Sequence, residues 1–229
     1  MNRAILFDLD GTLLDRDESV KKFIDSQYDR LSKVLGFIPK KQYIQRLFEL
    51  NNHGLREEVY KQLVNEFKFP DITWEELFDD YVENFKDHCT PFPNLMSMLE
   101  ELRNRKIALG MITNGRGQFQ MDKIKALGIE PYFDAILISE WEGLKKPDPE
   151  IFYRALQKLA ASPDLSIFVG DHPENDVKAA QNAGMKGVWK RDSVRDNIEA
   201  DAIIDDLAEL PSIIDELIKN DTELKLRQP

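Results

Sequence analysis

Residues 3–18 read RAILFDLDGTLLDRDE: strand-type apolar residues run straight into Asp8 and Asp10, with Asp15 and Asp17 close behind. A strand that is continuously apolar is buried on both faces, as in a parallel sheet. Carboxylates at the end of such a strand are costly unless something makes use of their charge. Similar runs recur along the chain as AILFDL, IALGMIT, AILIS, SIFVG, KGVWK and ADAIID, each followed by a turn and then a helical pattern. That alternation predicts an α/β fold with a doubly wound, Rossmann-like parallel sheet covered by helices. The helices are legible in NLMSMLEELRNR, where Leu95, Met98, Leu99 and Leu102 share a face, and in EIFYRALQKLA, with Ile151, Phe152, Ala155, Leu156 and Leu159.

Between the first two strands, from about Asp15 to Pro91, the patterning is helical only. Val20, Phe23, Ile24, Leu31, Val34 and Leu35 form one stripe; Tyr43, Ile44, Leu47 and Phe48 a second. Leu55, Val59, Leu63 and Phe67 form a third, and Trp74, Leu77, Phe78, Tyr81, Val82 and Phe85 a fourth. One crossover needs one helix, so four predict an inserted α-helical bundle, a cap domain with its own small core. The expected boundaries are residues 1–15 and 91–229 for the sheet domain and 16–90 for the cap. LLDRDES leads in and DHCTPFPN leads out, its prolines ending any helix before them. The charged tail NDTELKLRQP is a candidate for disorder.

Composition narrows the function. A formal net charge of −11 repels a polyanion, which argues against a nucleic acid partner and requires local cations at any site for a small anion. The single cysteine, Cys89, allows no internal disulfide and reads as structural. No secretory leader or long apolar run is evident, so the chain is read as cytoplasmic, with no membrane partner.

In an open parallel sheet, ligands bind beyond the carboxyl ends of the strands. The residues there are Asp8, Asp10, Gly11 and Thr12; Thr113, Asn114 and Gly115; Lys145, Lys146 and Pro147; and Gly170, Asp171 and Asp176. On an extended segment, Asp8 and Asp10 point the same way. With Asp171 arriving from a neighbouring strand, they repel unless a cation joins them. Oxygen ligands with few carboxylates suit Mg²⁺, which usually binds a phosphate as well. Three carboxylates against Mg²⁺ and Lys146 leave the pocket about neutral, so an anionic substrate can enter.

These residues, in this order, resemble the haloacid dehalogenase-like (HAD) superfamily of Mg²⁺-dependent phosphohydrolases. DLDGT is similar to its first motif, Thr113 to its second, Lys146 before Pro147 to its third and GDHPEND to its fourth, and the helical insert resembles its C1-type cap. The resemblance implies that Asp8 is the nucleophile and forms an aspartyl-phosphate, and that Asp10 exchanges protons with the leaving group and the attacking water. It implies that Asp8 and Asp171 bind Mg²⁺ by side chain and Asp10 by its backbone carbonyl. Thr113, the Asn114 N–H and Lys146 would hold the phosphoryl oxygens, with Asp176 orienting Lys146 or a metal-bound water. Dehalogenase members lack the second aspartate, since an alkyl halide needs no proton on its leaving group, so Asp10 favours phosphate ester hydrolysis. The expected substrate is a small phosphorylated metabolite such as a sugar phosphate, a nucleoside monophosphate or phosphoglycolate, enclosed by the cap.

The acidic run is not an EF-hand loop, because Gly11 comes fourth rather than sixth and a strand precedes it. Asp15 and Asp17 read as linker or helix-cap residues. The Lys-Pro pattern of the family it resembles favours Lys146 over Lys145, and Pro149 is expected near the first position of a helix. His172 reads as a local hydrogen bonder, and His53, Arg56 and Lys61 as candidate substrate contacts in the cap. A phosphomutase, or a non-catalytic phosphate or Mg²⁺ binder on the same scaffold, are the alternatives.

Overall fold

The structure, a computed structural model, describes residues 3–51, 56–192 and 198–217. His53, Leu55 and the tail from Asn220 onward lie outside the described residues. Two compact units emerge: one from residues up to Leu14 together with those from Pro91 onward, the other Asp15–Thr90.

The first unit holds a six-stranded sheet: β1 (Ala4–Phe7), β2 (Ala108–Thr113), β3 (Ala135–Ile138), β4 (Ile167–Gly170), β5 (Lys186–Lys190) and β6 (Ala202–Ile204). Every pairing is parallel, and the strand order β3-β2-β1-β4-β5-β6 is the Rossmann order. All six expected strands are present. One face of the sheet carries Ala4, Leu6, Ile112, Leu137 and Phe168, packed against Ile151, Phe152, Ala155 and Leu156 and against Ala179, Ala180 and Ala183. Ile5, Phe7, Leu109, Met111 and Val169 alternate to the opposite face and are fully buried too. That burial explains the unbroken apolar runs.

The second unit is helical: α1 (Arg16–Arg30), α2 (Ser32–Leu35), α3 (Lys40–Leu50), α4 (Glu57–Phe67) and α5 (Trp74–Asn84). Asp15 is the N-cap of α1, its carboxylate accepting the Glu18 N–H at 3.0 Å, which is one of the two roles its sequence position suggested. Instead of one first helix reaching Leu35, the chain breaks at Leu31, whose N–H turns back to the Gln27 and Asp29 carbonyls. The bundle core is not wholly apolar. Fully buried Gln27 donates to the Leu77 carbonyl (2.9 Å) and Asp80 (3.0 Å) and accepts from the hydroxyls of Tyr43 (2.9 Å) and Tyr60 (3.3 Å). Each polar atom of its amide is thereby satisfied. Lys61 lies 4.2 Å from the Trp74 ring centre and 3.5 Å from Glu57, while Arg56 is the exposed residue before α4. Cys89 is half-buried, with its thiol against the Phe85 carbonyl.

The sheet unit carries helices of its own, among them α6 (Leu95–Asn104), α7 (Gly117–Ala126), α8 (Ser139–Glu142), α9 (Pro149–Lys158) and α10 (Ala179–Asn182), the last preceded by a π-helical turn, Pro173–Lys178. Pro149 opens α9, capped by Asp148. Among the described residues, no helix is long and apolar enough to cross a membrane.

Candidate active site

The winding reverses at β1, whose neighbours are β2 and β4. Ligand sites of open sheets form at such switch points. Asp8 follows β1 directly and donates its N–H to the Val169 carbonyl of β4 at 2.9 Å, so Asp8 and Asp171 leave adjacent strand ends. Gly11 allows the approach: it has φ +88°, and a Cβ there would collide with the Asp171 carboxylate. The Asp171 carbonyl in turn accepts the Trp189 indole N–H at 3.0 Å.

Lys146 enters from the loop after α8. Its side chain is buried, with Nζ 2.7 Å from Asp8 Oδ1 and 2.6 Å from Asp176 Oδ1, whereas Lys145 is exposed. Asn114, directly after β2, fixes the Lys146 backbone by exchanging two 2.9 Å hydrogen bonds with it: the Lys146 N–H donates to Oδ1 and Nδ2 donates to the Lys146 carbonyl. The second Asp176 oxygen accepts the His172 N–H at 2.9 Å. His172 itself caps the π-helical turn, its Nδ1 accepting from the N–H groups of Glu174 and Asn175, so it acts locally.

The electrostatics follow from this burial. Desolvation pushes the Asp8 carboxyl up to about 6; Lys146 opposes that rise and Asp176 adds to it. Burial works against the Lys146 charge, but Asp176 and Asp8 outweigh it and hold the ammonium firmly protonated.

Asp10 is set apart from this couple. Lys123 Nζ lies 2.9 and 3.0 Å from its two oxygens, and Gln120 Nε2 lies 2.8 Å from Oδ2. Gln120 Nε2 also reaches Thr113 Oγ1 at 2.6 Å. The structure therefore gathers Asp8, Asp10, Thr113, Asn114, Lys146, Asp171 and Asp176 at the strand ends, together with two residues that sequence reasoning missed, Gln120 and Lys123. The available signal was on α7, where Gln120 and Lys123 occupy the inward stripe with Gly117 and Ile124.

Asp8, Asp171 and Asp176 bring carboxylate oxygens within 4.8 Å of one another. Both Asp176 oxygens already accept, from Lys146 and from the His172 N–H, and both Asp8 oxygens do so as well, from Lys146 and, at 3.3 Å, from the Thr12 hydroxyl. Three carboxylates against Lys146 leave an excess of negative charge in a buried setting. An all-oxygen, anionic donor set fits a hard divalent ion.

A parallel sheet with these acidic and basic groups at its switch point has the architecture of a haloacid dehalogenase-like hydrolase, and the sequence model of that family matches residues 5–190. The chain belongs to this family. It is 30% identical over 239 residues to the glyceraldehyde 3-phosphate phosphatase of Methanocaldococcus jannaschii, covering 96% of this chain and 100% of the relative. Among solved structures it resembles a HAD phosphatase from Thermococcus onnurineus, with a TM-score of 0.65 and 30% identity, covering 93% of this chain and 98% of the other. It also resembles a 2-haloacid dehalogenase from Pseudomonas syringae, with a TM-score of 0.63 and 26% identity, covering 94% and 99%.

Proposed function

We propose that the protein is a Mg²⁺-dependent phosphomonoesterase that acts on a small phosphorylated metabolite through an aspartyl-phosphate on Asp8. The observation that carries this reading is the separation of two nearby carboxylates onto two cations: Asp8 faces Lys146, while Asp10 faces Lys123. Two carboxylates in different environments suit different tasks, one attacking phosphorus and the other moving protons. Carbon–halogen cleavage has no use for the second.

In the first half-reaction an Asp8 oxygen bonds to phosphorus, the bond from phosphorus to the ester oxygen breaks, and Asp10 gives that oxygen a proton. In the second, Asp10 takes a proton from water as the water oxygen attacks phosphorus. The bond to Asp8 then breaks, releasing inorganic phosphate and restoring the Asp8 carboxylate and the protonated Asp10. Lys146, the Thr113 hydroxyl and the Asn114 N–H hold the phosphoryl oxygens, where charge sits in the transition state. Asp8 and Asp171 side chains and the Asp10 carbonyl would hold Mg²⁺, which supplies charge neutralisation at the phosphoryl group. Asp176 orients Lys146.

Similarity to a glyceraldehyde 3-phosphate phosphatase supports a short sugar phosphate as the first substrate to try. The test is phosphate release from glyceraldehyde 3-phosphate, nucleoside monophosphates and phosphoglycolate, with Mg²⁺ and with a chelator. Release that needs Mg²⁺ and is lost in Asp8→Asn is expected. Turnover retained by a folded Asp8→Asn protein removes Asp8 as nucleophile, and isomer formation without phosphate release indicates a mutase.

A further inference from the structure

The inward stripe of α7 contains two polar side chains where a helix covering a sheet would carry apolar ones. Gln120 is 2% exposed and Lys123 is 5% exposed. Lysine is almost never buried this deeply unless it is paired. A leucine and a methionine would pack the same face without desolvating a charge, so packing alone does not account for the choice.

The hydrogen-bond chemistry of the pair runs in one direction. An ammonium only donates, so Gln120 Oε1, 2.7 Å from Lys123 Nζ, accepts from it. That contact fixes the amide and turns Nε2 toward Asp10 Oδ2 at 2.8 Å and Thr113 Oγ1 at 2.6 Å, with the Asn114 carbonyl at 3.4 Å. An amide nitrogen also only donates. The Thr113 oxygen therefore receives from Gln120, and its own hydrogen is left to donate in another direction. The same ammonium spans both oxygens of Asp10, fixing the rotation of that carboxyl group.

We propose that Lys123 and Gln120 are positioning residues of the reaction. Lys123 orients Gln120 and the Asp10 carboxyl group, and Gln120 sets the Thr113 hydroxyl as a donor toward the phosphoryl group. This rests on the reading of Asp10 as the group that protonates the leaving oxygen. A carboxyl free to rotate spends less time aligned with that oxygen, and misplacements of about 1 Å cost on the order of 10²-fold in rate.

The readout is leaving-group dependence. The kcat/KM value reports steps up to cleavage of the ester bond, where an alkyl ester needs its departing oxygen protonated and a nitrophenyl ester does not. Wild type, Asp10→Asn, Lys123→Met, Lys123→Arg and Gln120→Met would be compared on glycerol phosphate and p-nitrophenyl phosphate with Mg²⁺. In Lys123→Met, kcat/KM for glycerol phosphate should fall about 10²-fold, the lower end of what a general acid contributes, with a much smaller fall for the nitrophenyl ester. Asp10→Asn should show the same selectivity, and Lys123→Arg should recover most of the loss. Gln120→Met should widen the ratio between the two esters and also lower both values through Thr113.

Parallel losses on both esters in Lys123→Met and Gln120→Met, with near-wild-type melting temperatures, would reduce the pair to a structural role and overturn the proposal. If Lys123→Met does not fold, Gln120→Met decides alone: an unchanged ratio there overturns the proposal. A wild-type protein inactive on every ester refutes the phosphatase reading itself. An active wild type whose Asp10→Asn variant loses both esters equally refutes the role of Asp10, and the positioning role falls with it.

Discussion

Asn114 and Lys146 are joined by a reciprocal pair of 2.9 Å hydrogen bonds, the side-chain amide of one closing on the backbone N–H and C=O of the other. A side chain directly after β2 thus fixes the backbone that carries the buried cation. Asn114→Ala removes both bonds and strands two backbone groups. It should lower kcat/KM by about 10²-fold through misplacement of the Lys146 ammonium and lower stability by about 1–3 kcal/mol. Steady-state kinetics beside denaturant unfolding measure the two effects. Asn114→Asp should not rescue them, because its carboxylate cannot donate to the Lys146 carbonyl.

Gly170 ends β4 where a Cβ would run into the Cβ and Cγ of Asp176. Glycine here serves close approach rather than an unusual backbone angle. Gly170→Ala should cost about 1–3 kcal/mol from overpacking and should pull Asp176 off Lys146, lowering activity with it. Wild-type stability and activity in this variant would mean that Asp176 has room to move.

Much of this was legible in the sequence, for a physical reason. Strands buried on both faces show as unbroken apolar runs, so all six could be read, and their ends pointed to Asp8, Thr113, Lys146 and Asp171. What escaped reading depends on distant partners. Gln120 and Lys123 look like ordinary polar helix residues until Asp10, 110 and 113 positions away, is set beside them. Asn114 was expected to act through its backbone N–H, and nothing local revealed that its side chain holds Lys146. The break at Leu31 was hidden because the apolar stripe continues across it to Leu35.

The cluster of Asp8, Asp171 and Asp176 against Lys146 predicts stabilisation by Mg²⁺ independent of turnover. A ligand that binds only the folded state at about 100 times its Kd adds about 2.7 kcal/mol. The melting temperature should therefore rise with Mg²⁺ and return to its starting value with a chelator. In Asp171→Asn the rise should shift to higher Mg²⁺ or vanish, while the metal-free protein stays folded. An equal rise in that variant would move the ion to another site.

Asp134 begins the turn into β3 and ties it to β2 and α6: its Oδ2 accepts the Leu109 N–H at 2.9 Å and Arg103 Nη1 at 2.7 Å. Burial alone would raise its carboxyl, but the Leu109 N–H and the Arg103 guanidinium outweigh that and hold it below the usual value. In the unfolded chain it titrates near about 3.9. The folded state therefore binds fewer protons across this window, and the stabilisation is present above the unfolded value and lost as pH falls through the lower folded one. Asp134→Asn keeps an oxygen for the Leu109 N–H but loses the charge, so it should be less stable than wild type at neutral pH. The gap should narrow as pH falls below the unfolded value. With 41% of the side chain exposed, solvent screening limits the effect to below about 1 kcal/mol. Urea unfolding of both proteins across the acid range measures it. A difference that stays constant as pH falls through the carboxyl's titration would assign the loss to packing rather than to the charged hydrogen bonds.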